Sequence, residues 1–253
     1  GGYFDSCGII RDVIQNHLIQ VLALTAMDRP ADTGGASVRA EKVRVLKSIP
    51  PLLLRDVALG QYRGRTIAGV RYPAYIEEDS VPPGSITPTY AACSLKVDNE
   101  RWRGVPFVIS AGKALDASLS EVRIRFHPIR DNIFCGPAGC PPPNEFVIRI
   151  QPDEALCLRI TNKEPGLEVK LGQSDLDLHY ASAFKPLIPD AYECLLLDVI
   201  QGDRSLFISR DELAAAWDIF TPVLHELEKK KIVPEPYDFG SVGPASLVGR
   251  HLA

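Results

Sequence analysis

The chain has 253 residues, of which 45% are hydrophobic and 24% charged, and its formal net charge is −4. These values are typical of a globular protein with a sizeable core, and the acidic balance excludes the basic footprint of a nucleic-acid-binding protein. The sequence contains no run of 18 apolar residues, so it predicts no membrane-spanning helix.

The first predicted element is a helix over residues 9–27 that contains His17. Apolar residues recur along it at helical spacing, and Asp5 or Ser6 is expected to cap its start. Position 17 falls on the apolar stripe, so the imidazole is expected to face packed surface or a cleft rather than open water. Such a histidine is either a proton acceptor at neutral pH or a core residue with a hydrogen-bonded ring, and spacing alone leaves both alternatives open.

Asp12 lies five residues before His17 in the same predicted helix. At ~100° per residue in an α-helix, the two side chains would stand roughly 140° apart around the axis. They are therefore not expected to stack as an i,i+4 pair does, and the carboxylate is not expected to orient the imidazole. It could still reach a ligand that lies along the start of the helix.

The middle of the chain changes from helical to strand-like patterns. Residues 38–48 predict a second helix, and the stretch 60–89, rich in glycine, proline and charge, predicts a long surface excursion. Beyond it, apolar and polar residues alternate, which is typical of antiparallel strands with one covered face. The strand candidates are residues 90–97, 106–110, 121–127, 145–151, 155–161, 166–171 and 176–180.

The last part of the chain is predicted to be helical again, over residues 190–202 and 210–231. Ser209 and Glu212 have the spacing of a capping box, and Pro222 is expected to kink the second helix or start a new one. The glycine- and proline-rich tail from Pro234 onward is expected to lie along the surface.

The fold class predicted from these elements is α+β, with a large, mainly antiparallel sheet and helices packed on one face. We expect a single domain over residues 1–253. The other face of the sheet is polar without being highly charged, so it would meet water or pair with a second copy of the chain.

Two polar side chains stand at predicted strand ends. Lys113 follows Gly112, where it could reach into a cleft and bind an anion or a sugar hydroxyl. Gln151 ends the strand before Pro152. For each of them the alternative is a solvated residue with no binding role.

The six cysteines are scattered, and only Cys135 and Cys140 are close in sequence. No second close pair completes a tetrahedral zinc set, so no metal site is expected. A reversible disulfide between these two is one alternative, although reduced thiols in an intracellular compartment fit best.

Long motifs occur in a fixed order over almost the whole chain. They lie at residues 1–5, 8–17, 98–107, 112–115, 144–152, 190–193, 209–217, 220–222 and 240–244. In content and order they closely resemble the signature of glucose-6-phosphate dehydrogenase. The resemblance implies that the chain is the C-terminal, substrate-binding and dimerisation domain of an enzyme that oxidises glucose 6-phosphate to 6-phosphogluconolactone, with NADP as hydride acceptor, in the pentose phosphate pathway.

The resemblance also implies roles for single residues. His17 matches the general base that takes the proton of the anomeric hydroxyl, Asp12 and Lys113 match residues that hold glucose 6-phosphate, and Gln151 lines the same site. The large sheet would pair two subunits into a homodimer or a larger assembly.

Parts of the family pattern are missing. The sequence has no Gly-x-Gly-x-x-Gly turn after a strand and no Arg-Ile-Asp-His-Tyr-Leu-Gly-Lys segment, which the family uses for nucleotide binding and for orienting the histidine. These residues alone are therefore expected to be inactive. The alternative is a non-catalytic structural subunit derived from the family.

A second, structural NADP site is doubtful by the same comparison. Four residues would match parts of it, namely Arg123, Arg149, Arg159 and Asp177, but Ser110, Ser118 and Leu119 stand where some relatives carry cations. The expected compartment is the cytoplasm, with plastid or mitochondrion as the alternative if an upstream targeting peptide is removed.

Overall fold

The computed structural model describes residues 2–136, 139–184, 191–204 and 207–247. The helices are α1 (Gly2–Ile9), α2 (Ile19–Ala26), α3 (Gly35–Lys47), α4 (Tyr180–Phe184), α5 (Ala191–Gln201) and α6 (Arg210–Lys230), with a π-helix, Ile10–Leu18, between α1 and α2. The strands are β1 (Val57–Arg63), β2 (Arg65–Ile67), β3 (Val70–Tyr72), β4 (Tyr90–Lys96), β5 (Pro106–Gly112), β6 (Ser120–Arg125), β7 (Glu145–Gln151), β8 (Ala155–Lys163), β9 (Leu171–His179) and β10 (Glu235–Asp238).

The described residues divide into two compact units, one from the ranges 1–117 and 194–253 and the other from 118–193. The first contains a sheet of order β10-β1-β4-β5 and the β2-β3 ribbon, and the second contains a sheet of order β6-β7-β8-β9. Every pairing of these strands is antiparallel except that of β10 with β1. The predicted α+β class is confirmed. The assignment of the whole chain to one domain stays a prediction.

The core of the first unit lies between its helices and the β10-β1-β4-β5 sheet. Apolar side chains from the first helices, from β4 and from α6 are buried together there; they include Ile10, Ile14, Ile19, Leu46, Ala91, Cys93, Leu95, Ile219 and Phe220. One ion pair is buried with them, since Lys42 Nζ lies 2.8 Å from Glu212 Oε1 and the two side chains are only 5% and 0% exposed.

The N-terminal helical region differs from the prediction in its start and in its winding. Asp5 and Ser6 lie inside α1 rather than at a cap, so that expectation is wrong. Gly8 breaks the winding with a φ of 69°, a conformation that glycine adopts without strain, and helical winding resumes after it. The Asp5 carboxylate instead accepts hydrogen bonds from the hydroxyls of Tyr75, at 2.9 Å, and Ser85, at 2.6 Å.

The stretch 60–89 is not wholly a surface excursion, because its first residues complete β1 and because Tyr62 and Tyr75 are buried. Gly60 explains part of the error. A Cβ at this position would lie 2.6 Å from Cγ of Pro244 and 2.9 Å from Cδ1 of Tyr237, so this glycine permits close packing rather than a turn.

Three further predictions need correction. Residues 166–171 and 176–180 do not form two strands, because a single strand, β9, covers 171–179. The tail is not confined to the surface, since β10 pairs in parallel with β1 and Tyr237 is buried. Pro222 does not start a new helix, because α6 runs from Arg210 to Lys230 with buried residues on both sides of the proline.

Cys135 and Cys140 form a disulfide bond, so the expectation of reduced thiols is wrong for this pair. The other four cysteines, Cys7, Cys93, Cys157 and Cys194, are free. Among the described residues no cluster of metal-ligating side chains occurs, and no helix there is long and apolar enough to cross a bilayer.

The predicted capping box at the start of α6 is confirmed. The Glu212 N–H donates to Ser209 Oγ at 3.2 Å, and the Ser209 N–H donates to Glu212 Oε2 at 2.7 Å. Replacing Ser209 by alanine removes the first of these bonds, so we expect Ser209→Ala to lower the free energy of unfolding by ~1 kcal/mol. Urea unfolding measures this, and Ser209→Asp, which restores a cap, should stay within a few tenths of a kcal/mol of the parent chain. Equal losses in both variants would contradict the assignment.

Candidate active site

The π-helix places Asp12 and His17 on one side of the same element. Its hydrogen bonds join residues that are five positions apart, as between the Ile19 N–H and the Ile14 carbonyl. In such a winding, residues five apart occupy neighbouring turns of one side, as residues four apart do in an α-helix. The expectation of a wide angular separation is therefore wrong, because it assumed α-helical geometry.

The same winding explains the exposure of His17. The buried residues are Ile10, Ile14 and Ile19, spaced by four and then five, which leaves position 17 outside the apolar stripe. The imidazole is exposed, whereas Asp12 is half-buried. The expected packed environment is thus wrong, and a sealed core histidine is excluded. Segments of π-helix are rare in proteins overall and are often found at functional sites.

Lys113 directly follows β5, and its main chain is held on both sides. Its N–H donates to the Thr89 carbonyl at 2.9 Å, and its own carbonyl accepts from the Tyr237 hydroxyl at 2.7 Å. The exposed side chain extends over Phe4, with Nζ at 4.2 Å from the ring centroid. Within the described part of the chain no carboxylate pairs with this ammonium.

Two observations connect Lys113 with the π-helix. Strand β5 packs against the π-helix directly. A side-chain hydrogen bond with Cys7, together with the charge of the Asp12 carboxylate, raises the pKa of Tyr3, the residue before Phe4. Asp12 is therefore close to the part of α1 on which the Lys113 ammonium rests.

Gln151 lies in the second unit, at the end of β7 and opposite Ser120 of β6. Its side chain is exposed and its peptide bond to Pro152 is cis. Asp12, His17 and Lys113 thus share the first unit, whereas the contribution of Gln151 stays a prediction.

The four residues matched to a structural NADP site lie on one face of the β6–β9 sheet. Residues directly opposite one another in an antiparallel sheet share a face, as do alternate residues along a strand. Arg123, Val147, Cys157 and Asp177 form one such row across the four strands. Arg149 and Arg159 belong to the neighbouring rows on the same face.

Most of these groups already have partners of their own. Arg123 donates to Glu121 and Glu145, and Arg159 holds Asp175 with two hydrogen bonds, of 2.8 and 2.9 Å, which lower the pKa of that carboxyl. Burial and a hydrogen bond with Asp177 raise the pKa of the Cys157 thiol to about 11.

One group in this set lacks a partner. Nε of Arg149 is buried without a hydrogen bond. The phosphate of a bound dinucleotide would have to compete with carboxylates for Arg123 and Arg159, so these side chains, in the arrangement described, fit structural NADP poorly.

Sequence reasoning misses Phe4, Thr89 and Tyr237, which contact Lys113. Phe4 lies within the motif at residues 1–5, but nothing in that pattern indicates a lysine 109 positions later. Tyr237 lies in the tail, for which the sequence predicts a surface position. Only the register of β10 beside β1 brings its hydroxyl to the Lys113 carbonyl.

Comparisons with known proteins agree with the motifs. A family model described as the C-terminal domain of glucose-6-phosphate dehydrogenase matches residues 1–249. The chain is 52% identical to the chloroplastic glucose-6-phosphate 1-dehydrogenase 3 of Arabidopsis thaliana, covering 99% of the chain and 42% of that protein. It is 49% identical to the cytoplasmic isoform of Solanum tuberosum, covering 97% of the chain and 46% of the isoform.

The fold of the chain is also similar to that of a solved structure. That structure is a glucose-6-phosphate dehydrogenase in complex with its substrate glucose-6-phosphate, which superposes with a TM-score of 0.89 at 45% identity, over 98% of this chain and 50% of that one. The chain spans about half the length, or less, of the relatives it matches. The chain belongs to the glucose-6-phosphate dehydrogenase C-terminal domain family.

Proposed function

We propose that this chain is the substrate-binding and dimerisation domain of an NADP-dependent glucose-6-phosphate dehydrogenase. The observation that carries the proposal is the π-helix, which presents Asp12 and His17 on one side, next to β5, the strand that Lys113 directly follows. The similar solved structure is a complex with glucose-6-phosphate, and this supports the choice of substrate.

Each of the three side chains has a distinct part in this proposal. The exposed His17 imidazole takes the proton from the anomeric hydroxyl, because a histidine can accept a proton at neutral pH. Asp12 accepts hydrogen bonds from sugar hydroxyls. Lys113 offers an ammonium without a carboxylate partner among the described residues, and so pairs with an anionic or hydroxyl group of the substrate. NADP, when bound, supplies the acceptor for the hydride.

The proposal assigns the binding of catalytic NADP to a nucleotide-binding domain supplied by other residues, and the 253 residues alone are expected to be inactive. The proposal does not rely on a structural NADP. Among the arginines matched to that site, Arg149 alone has a buried nitrogen without a hydrogen-bond partner. Chloroplastic and cytoplasmic relatives match at similar identity, so the proposal covers both compartments.

The test joins this chain to the N-terminal part of the Arabidopsis thaliana relative and measures NADPH formation from glucose 6-phosphate. We expect Lys113→Gln to raise KM for glucose 6-phosphate by roughly 10- to 100-fold, because it removes charge-assisted hydrogen bonds, with little change in KM for NADP. Lys96→Gln, which changes an exposed lysine at the end of β4, is the matched control and should leave both constants unchanged.

A fusion that folds but forms no NADPH would contradict the proposal. It would favour the alternative of a non-catalytic subunit. Ser110, Ser118 and Leu119 support that alternative, because they stand where some relatives carry cations. Native mass measurement adds a second criterion, since a homodimer agrees with the dimerisation role and a stoichiometric unrelated partner does not.

A further inference from the structure

Lys113 needs to be held in place without losing the charge that would attract a phosphate. A carboxylate partner would fix the ammonium but neutralise it, and a substrate anion would then have to displace that partner. An aromatic ring attracts a cation through its quadrupole and leaves the net charge and the N–H donors available. The Phe4 ring occupies this position, 4.2 Å from Nζ.

We propose that Phe4 and Tyr237 are positioning residues for Lys113, the ring holding its ammonium and the hydroxyl holding its carbonyl. The inference rests on the proposed function, which makes Lys113 a substrate ligand. It deepens that function because it identifies what fixes this ligand before substrate arrives.

Phe4 is itself fixed by its surroundings. The ring is only 8% exposed and packs edge-to-face on Tyr75, with 5.9 Å between centroids. The Tyr75 hydroxyl donates to Asp5, the next residue of α1. The Phe4 ring under the ammonium therefore belongs to the core and does not move with the exposed lysine side chain.

Tyr237 is equally well anchored. It is 3% exposed, its hydroxyl lies 3.0 Å from Thr89 Oγ1, and it packs edge-to-face against Tyr62 and Tyr90. Burial raises its pKa to about 12, so the hydroxyl stays protonated and can donate to the Lys113 carbonyl. Thr89 holds Lys113 from the other side, because its carbonyl accepts a hydrogen bond from the Lys113 N–H.

The hydroxyl and the ring can be removed separately. In the active fusion, we expect Tyr237→Phe to raise KM for glucose 6-phosphate by roughly 2- to 10-fold through the lost hydrogen bond, and Phe4→Leu by roughly 2- to 5-fold through the lost ring. Phe4→Tyr keeps an aromatic face and should restore binding. Tyr62→Phe is the matched control, because its hydroxyl bonds Glu78 and not Lys113.

A double variant separates positioning from a general effect on structure. If Tyr237 acts through the Lys113 ammonium, Tyr237→Phe raises KM in the parent but has no further effect in the Lys113→Gln background, since interacting residues are not additive. An additive effect in that background would overturn the proposal.

Hydrogen–deuterium exchange supplies a readout that does not need activity. We expect faster exchange of the amides at residues 113–115 in Tyr237→Phe and unchanged exchange there in Tyr62→Phe. Equal exchange in the two variants would overturn the role of the hydroxyl, whatever the kinetics. A parent fusion that does not turn over glucose 6-phosphate would instead count against the proposed function, and the exchange data would still decide whether Tyr237 holds Lys113.

Discussion

His17→Asn is expected to lower kcat of the assembled dehydrogenase by ~10²–10⁴ while KM for glucose 6-phosphate changes little, because a positioned general base typically contributes this much to the rate. Asparagine keeps a polar side chain of similar reach but has no basic nitrogen. The side chain is exposed, so the variant should fold with a free energy of unfolding within about 0.5 kcal/mol of the parent. A loss of rate would therefore report on chemistry and not on stability.

Steady-state NADPH formation with saturating glucose 6-phosphate measures this effect. The control is Asn16→Ala, which changes the exposed neighbour on the same π-helix and should leave kcat within a factor of a few. If His17→Asn kept most of the parent's kcat, another group would have to be the base and the assignment of His17 would be wrong.

Glu212→Ala is expected to lower the free energy of unfolding by roughly 3–5 kcal/mol, because removal of one partner leaves the other charge buried and unpaired. Lys42 is 5% exposed and its ammonium lies 2.8 Å from Glu212 Oε1. The second carboxylate oxygen, Oε2, accepts the Ser209 N–H at 2.7 Å, so the variant also loses half of the capping box.

Urea unfolding of three variants tests whether burial explains the size of this effect. Glu226→Ala breaks the exposed pair with Lys230, which lies in the same helix at 2.6 Å, and should cost only about 0.3–0.5 kcal/mol. The double variant Lys42→Met with Glu212→Leu removes both buried charges and should recover most of the loss. A loss below about 1 kcal/mol for Glu212→Ala would contradict the buried pair.

Local patterns predict local structure well in this chain. The capping box at Ser209 depends only on residues three apart, and the strands β6, β7 and β8 depend on alternation along a few residues, so both are predictable. The winding around His17 is not. Apolar residues that recur every three or four positions predict an α-helix. The buried residues Ile14 and Ile19 are five positions apart, and this spacing fits a π-helix better than an α-helix.

Contacts between distant residues account for most of the remaining errors. Nothing in the sequence near Gly60 indicates that Tyr237 packs on it, and nothing near Lys113 indicates Phe4. Family motifs name Asp12, His17 and Lys113 as site residues. They do not assign a role to Phe4 or Tyr237, because Phe4 acts through packing against the Lys113 ammonium and Tyr237 through a hydrogen bond to the Lys113 carbonyl.

The order of the units along the chain has a consequence for biosynthesis. The first unit is discontinuous, since the segment 118–193 interrupts it, and β1 gains its parallel neighbour only when residues 235–238 are made. On the ribosome, the inserted segment emerges complete while β1, β4 and β5 still await α6 and the last strand. Domains generally fold as units during synthesis. The apolar faces of α1, α2 and α3 therefore have to be protected until residues 235–238 have been translated.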